Sequence, residues 1–209
     1  MNNCKEEENV FCGMCDEEDY TMPTVGEKLP DDLELDVYYE DDEKKINLSD
    51  YKDKWKIFFF YPADFSFVCP TELEEMAKYY DEFKGLGAEI FAVSTDTVFV
   101  HKAWHDESDA IGKVTYPMVA DPTHKLTKMF GVYLEDEGMA LRGTFIVNPA
   151  GEIVSMEVND NSIGRSAKEL LRKLKAAQFV AEHGDKVCPA SWEPGEDTLK
   201  PGLDLVGKI

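Results

Sequence analysis

The sequence predicts an α/β protein with a mixed central sheet flanked by helices, an N-terminal hairpin and a C-terminal extended tail. Three observations carry this expectation. The apolar runs "KIFFFY" and "AEIFAVS" suit buried strands, and each is followed by helical periodicity, which argues parallel pairing through crossovers. Further on, "GTFIVN" and "EIVSMEV" flank the turn "PAG" and read as an antiparallel hairpin. A long amphipathic helix then follows, so helices are available to cover the sheet.

Taken in order, residues 1–22 form an acidic arm with seven acids, one lysine and three cysteines. With almost no apolar periodicity, the arm is expected to be mobile. Folded structure is expected over 23–187, beginning near "TVGEKLP". There "LELDVYY" alternates, "EDDE" turns and "KKINL" returns as a second strand. After "KIFFFY", residues Leu73, Met76, Ala77, Tyr80 and Phe83 recur at helical spacing, and Gly85 and Gly87 end that helix. Beyond "AEIFAVS" the segment "TVFVHKAWHDE" reads as helix, "YPMVA" as strand, and "HKLTKMF" as a short helix closed by Gly131. The last helix, "SAKELLRKLKAAQFVAEHG", opens on a capping box of Ser166 and Glu169. Residues 188–209 are rich in proline and glycine and read as an extended tail. A cysteine at the first strand-to-helix join of such a sheet is a thioredoxin-like arrangement.

Composition narrows the function. The chain has 209 residues, with 22 basic against 43 acidic side chains and a net charge of −21. Such a surface repels phosphate backbones and anionic lipid, so neither nucleic acid nor membrane is an expected partner. No apolar run reaches the length of a membrane span, and "MNNCKEEENV" has neither the basic head nor the apolar core of a signal peptide. A cytoplasmic protein is expected, in which cysteines serve catalysis or metal binding more often than structural disulfides. The five are Cys4, Cys12, Cys15, Cys69 and Cys188.

Cys69 sits where "KIFFFYPADFSFV" gives way to helix, with Pro70 in the first turn, which tolerates its missing N–H. Unpaired N–H groups and the positive end of the helix dipole favour a thiolate there. Glu72, Glu74 and Glu75 oppose it, so a cation is wanted from elsewhere in the fold. The bland alternative is an inert buried thiol. A thioredoxin-style dithiol is excluded locally, because the position three residues on is Glu72.

"YPADFSFVCPTELEE" resembles the active-site segment of the peroxiredoxins, and the match falls on Pro62, Ser66 and Cys69. "LRGTFIVNPAG" is similar to the segment bearing that family's active-site arginine, here Arg142. "VCPASWEPGEDTLKPGLDLVGKI" resembles the tail bearing its resolving cysteine, here Cys188. The ending is most similar to the bacterial alkyl hydroperoxide reductase C branch of the typical two-cysteine peroxiredoxins. The resemblance spans roughly residues 23–209.

It implies a thiol-dependent peroxidase for hydrogen peroxide and alkyl hydroperoxides, without haem, flavin or metal. Cys69 would become a sulfenic acid, and Cys188 of a partner chain would resolve it to a disulfide. An external dithiol donor would then reduce the disulfide: a flavoprotein disulfide reductase of the alkyl hydroperoxide reductase F type, a thioredoxin or a glutaredoxin. It also implies a homodimer, with rings of five dimers built through the segment around Val100 to Trp104.

Arg142 would supply the wanted cation, Ser66 a hydroxyl for the same oxygens, and Pro62 a shield from water. Ser66 stands where the family usually has threonine, which keeps the hydroxyl and loses the methyl that stiffens χ1. Absence of the Tyr-Phe extension seen in hyperoxidation-prone relatives predicts resistance to sulfinic acid formation. Ionisation cannot be the whole mechanism. A thiol of pKa about 8.5 is about 3% ionised at pH 7, so complete ionisation gains only about 30-fold.

Weaker signals remain. "FCGMC" is a CxxC that reads as adventitious thiols, a redox pair or half of a metal knuckle. His101 and His105, four apart on one helix, share a face as zinc ligands do, although surface or interface histidines are the commoner outcome. A redox-sensing assembly switched by Cys69 oxidation is the main rival to an enzyme, and it predicts poor turnover with peroxide.

Overall fold

The computed structural model describes residues 23–208; the arm with Cys4, Cys12 and Cys15 lies outside the described residues. Strands β1 (Glu34–Tyr39) and β2 (Asp42–Asn47) form the expected hairpin. Glu40 and Asp41 both carry positive φ, 54° and 58°, the backbone of a two-residue turn whose twist matches its strands. Next come β3 (Trp55–Phe60), α1 (Cys69–Gly85), β4 (Ala88–Ser94), α2 (Val98–Glu107) and β5 (Met118–Ala120). The order continues with α3 (Lys125–Met129), β6 (Tyr133–Leu134), β7 (Met139–Ala140), β8 (Arg142–Val147), β9 (Ile153–Asn159) and α4 (Ala167–Glu182).

Seven strands form one mixed sheet in the order β2-β1-β5-β4-β3-β8-β9. The two crossovers give parallel pairs, β3 with β4 and β4 with β5, while β8 runs antiparallel to both β3 and β9. The fold is thus thioredoxin-like, as the sequence predicts. Two features are not legible locally. The N-terminal hairpin joins the central sheet through an antiparallel pairing of β1 with β5, and β6 and β7 make a separate small ribbon.

Every residue of β3 and of β4 is buried, because helices and loops cover both faces. Alternation divides them. Ile57 and Phe59 point to the face packed by Leu73, Met76 and Phe83 of α1 and by Leu170, Leu171 and Leu174 of α4. Phe58 and Phe60 point to the other face, against Phe130 after α3, Phe145 of β8, and Val37 of β1. With both faces pinned, the carboxyl end of β3 and the start of α1 have little freedom relative to β8. That corner holds the site.

The tail is not free chain. Val187 and Leu199 pair as an isolated antiparallel bridge, and Trp192 is buried with its ring 4.8 Å from that of Phe179 on α4.

Candidate active site

Cys69 is the first residue of α1, preceded by Val68 at the N-cap and followed by Pro70 in the first turn. Thr71 and Glu72 donate their N–H groups to Val68 O, so the helix begins tightly, with Cys69 in its first turn at the positive end of the dipole. The thiol is fully buried and free.

Arg142 opens β8, the strand paired antiparallel with β3, and β8 enters the site without steric conflict because the next residue is glycine. A Cβ at Gly143 would lie 2.8 Å from Val132 Cγ1. The guanidinium of Arg142 donates from Nη1 to Cys69 Sγ at 3.4 Å and to Glu72 Oε2 at 2.6 Å, and from Nε to Asn161 O at 2.9 Å. The cation wanted by the sequence therefore lies against the sulfur.

The sequence reading treats Glu72 as an opponent of the thiolate; the structure shows it neutralised. It lies one turn after Cys69 and accepts from both Arg142 and Arg165, with all three side chains buried. Arg165 donates to it from its backbone N at 2.7 Å, from Nε at 2.9 Å and from Nη2 at 3.0 Å. Arg165 also donates to Gly143 O and Thr144 Oγ1, and its guanidinium stacks 3.5 Å above the Phe59 ring. Burial alone would push the Glu72 carboxyl up; the hydrogen bonds and charge of Arg165, with Arg142 behind them, outweigh it and hold it below its ordinary value.

Two guanidinium charges against one carboxylate leave one positive charge in a buried pocket. A thiolate at Cys69 cancels it. Sequence reasoning missed Arg165, although a signal was present: the chain has only three arginines among its 22 basic residues. Arginine rather than lysine marks positions where a planar fork of donors is used. The neighbouring acids have separate duties. Glu75 Oε2 accepts the first N–H of α4, from Ala167, and Glu74 pairs with Lys113 at the surface.

Pro62 is buried, and Ser66 is partly buried, both in the loop between β3 and α1. The Ser66 hydroxyl donates to Ala63 O at 2.7 Å and so shapes its own loop. It has no hydrogen bond to the sulfur. Cys188 lies apart, half-buried against α4 with Sγ 3.9 Å from Ala176 O. Burial pushes its thiol up, against the pull of the Arg172 charge. The histidine pair separates: His105 Nε2 meets Val114 O at 3.1 Å, whereas His101 is fully buried, not at the surface.

Comparison with known proteins shows the family. The family model described as AhpC/TSA matches residues 25–156, more than half of the chain, and one described as the C-terminal domain of 1-Cys peroxiredoxin matches 176–206. An alkyl hydroperoxide reductase C of Staphylococcus haemolyticus is 54% identical over 170 residues, covering 81% of this chain and 90% of the relative. The crystal structure of Enterococcus faecalis AhpC superposes with a TM-score of 0.77 at 54% identity, covering 80% of this chain and 100% of that one. A reduced Plasmodium vivax 2-Cys peroxiredoxin gives a TM-score of 0.82 at 31% identity, covering 87% and 96%.

Proposed function

This chain belongs to the AhpC/TSA family and is a peroxiredoxin, and from that premise we propose that it reduces hydrogen peroxide and alkyl hydroperoxides by a two-cysteine cycle centred on Cys69. The single observation that carries the reading is the Arg142 guanidinium donating to a sulfur at a helix start, inside a buried pocket of net positive charge.

The thiolate attacks one oxygen of the hydroperoxide. An S–O bond forms, the O–O bond breaks, and the electron pair leaves on the distal oxygen, which takes a proton to become alcohol or water. Arg142 has donors to spare for the charge developing on that oxygen, and the positive end of α1 adds to it. Stabilisation present only in the transition state supplies the acceleration that ionisation cannot. Pro62 excludes water from the sulfur, and Ser66, once turned toward the pocket, offers its hydroxyl to the peroxide.

Cys69 is left as the sulfenic acid. The Cys188 thiol of a partner chain attacks its sulfur, hydroxide leaves and is protonated, and a disulfide joins the two protomers. A dithiol donor, either a flavoprotein disulfide reductase or a thioredoxin or glutaredoxin, restores both thiols by exchange. The working unit is a homodimer that assembles into a decamer in the cytoplasm. A one-cysteine cycle is the second reading, favoured by the description of the model matched over 176–206. Cys188 itself lies within that segment and argues for two.

Substitution separates these readings. Cys69→Ser abolishes peroxide consumption; turnover at the wild-type rate overturns the assignment. Cys188→Ser consumes a single equivalent and then stalls with protein donors, whereas undiminished cycling means a one-cysteine enzyme.

A further inference from the structure

The polar group with the least evident purpose is His101 on α2. Its side chain and that of Asp64 are both 0% exposed, and Nδ1 lies 2.7 Å from Asp64 Oδ2. Nε2 is buried with no hydrogen-bond partner. The other oxygen, Asp64 Oδ1, accepts from Tyr61 OH at 2.8 Å. A carboxylate removed from water thus takes donors from the residue just after β3 and from α2, the histidine being the one that reaches it across the fold.

Asp64 lies in the segment that carries Pro62 and Ser66. What holds that segment is chiefly this corner. The Asp64 N–H donates to Asp96 Oδ2 at 2.9 Å, and the Tyr61 N–H to Val93 O. Phe65 takes a left-handed backbone, φ 51°, a strained state for a side chain of its size, with its ring 6.0 Å from that of Trp104 on α2. Strain of this kind persists only where flanking residues are anchored, and Asp64 is the anchor on one side. Ser66 Oγ then closes on Ala63 O. The loop's position is thereby referred to α2, while the sulfur's position is referred to α1 and β8.

We propose that His101 is a positioning residue for the peroxide step: its Nδ1–H holds the Asp64 carboxylate and so sets the distance of Pro62 and Ser66 from the Cys69 sulfur. This rests on the peroxidase reading of Cys69 given above. A proton on Nδ1 satisfies the pair, whereas Nε2 has no hydrogen-bond partner. The duty falls on one atom, and side-chain amides can tell the two nitrogens apart. Asparagine places an N–H near Nδ1 of the histidine it replaces, whereas glutamine places one near Nε2.

The test uses the full chain carrying Cys4→Ser, Cys12→Ser, Cys15→Ser and Cys188→Ser, which leaves Cys69 as its one thiol. Its rate with hydrogen peroxide is compared with its alkylation by iodoacetamide, which needs the same thiolate but not the groups that bind the two peroxide oxygens. His101→Gln is expected to slow oxidation about 10- to 100-fold, the scale of a loop misplaced by an ångström, with alkylation unchanged. His101→Asn is expected to restore most of that loss. Oxidation of the folded glutamine variant at the parent rate overturns the proposal, as does an equal loss in both reactions. A parent inert to peroxide would instead sink the peroxidase reading itself. Should the variants fail to fold, a nitrogen-15 histidine spectrum of the wild-type chain decides: a proton on Nδ1 of His101 supports the assignment, and one on Nε2 alone overturns it.

Discussion

Around the Cys69 sulfur the decisive atoms belong to Glu72, because its carboxylate holds both Arg142 and Arg165 in place by charge and by direction. Removing one partner of a buried ionic group leaves the others uncompensated, which costs far more than the net worth of the pair. Glu72→Gln is therefore expected to destabilise the fold by about 3–5 kcal/mol and to slow peroxide reduction. The same residue predicts a pH dependence. Its folded-state pKa lies below the ordinary value of 4.5, so its stabilising contribution is present above that value and is lost as pH falls below it. Denaturation midpoints measured from neutral pH down to about pH 3 should drop more steeply in the wild type than in Glu72→Gln. Parallel profiles would show that the carboxylate is not the acid-sensitive group.

Among the elements, α4 ties the site to Cys188, the proposed resolving cysteine. Its N-terminus is capped by Ser166 Oγ, which accepts from Glu169 N, and by Glu75 of α1, so the helix that follows Arg165 starts at a fixed place. Further along, Arg172 Nη1 donates to Trp192 O at 3.0 Å, and Phe179 receives the Trp192 ring. Cys188 lies between these two anchors, beside Ala176. Trp192→Ala removes a buried aromatic, a loss of about 3–5 kcal/mol. Because the contacts are those of the tail with one helix, that loss should release the tail and leave the sheet intact. Thiol-reagent labelling of Cys188 is then expected to accelerate with little change in the main thermal transition; unchanged labelling would show that the tail is held by other means.

For the molecule as a whole, net charge and apolar exposure act in opposite directions. Phe67 is 93% exposed and Phe99 is 72% exposed, near the active-site loop and on α2, and such side chains favour association. A charge of −21 on each chain opposes it. Screening over about 10 Å at 0.1 M salt reduces the repulsion and leaves the apolar contacts in force. Sedimentation of the reduced protein is thus expected to show assemblies growing from low to moderate ionic strength, with Phe99→Asp shifting the distribution to smaller species. A salt-independent distribution would show that charge repulsion does not limit assembly.

The sequence by itself determined the elements other than the β6–β7 ribbon, the thiol at the first strand-to-helix join, the need for a remote cation, and through its motifs the family. Those properties depend on residues a turn or a pleat apart, where periodicity, caps and spacing act. Only the tertiary structure decided which groups surround the sulfur. Arg142 and Arg165 reach Glu72 from 70 and 93 residues away, and His101 reaches Asp64 from 37. Contacts at such separations follow from strand order and from the covering of both sheet faces, which no local pattern encodes. Glu72 reads as an obstacle along the chain and becomes the keystone in space, because folding brings two guanidinium groups to it.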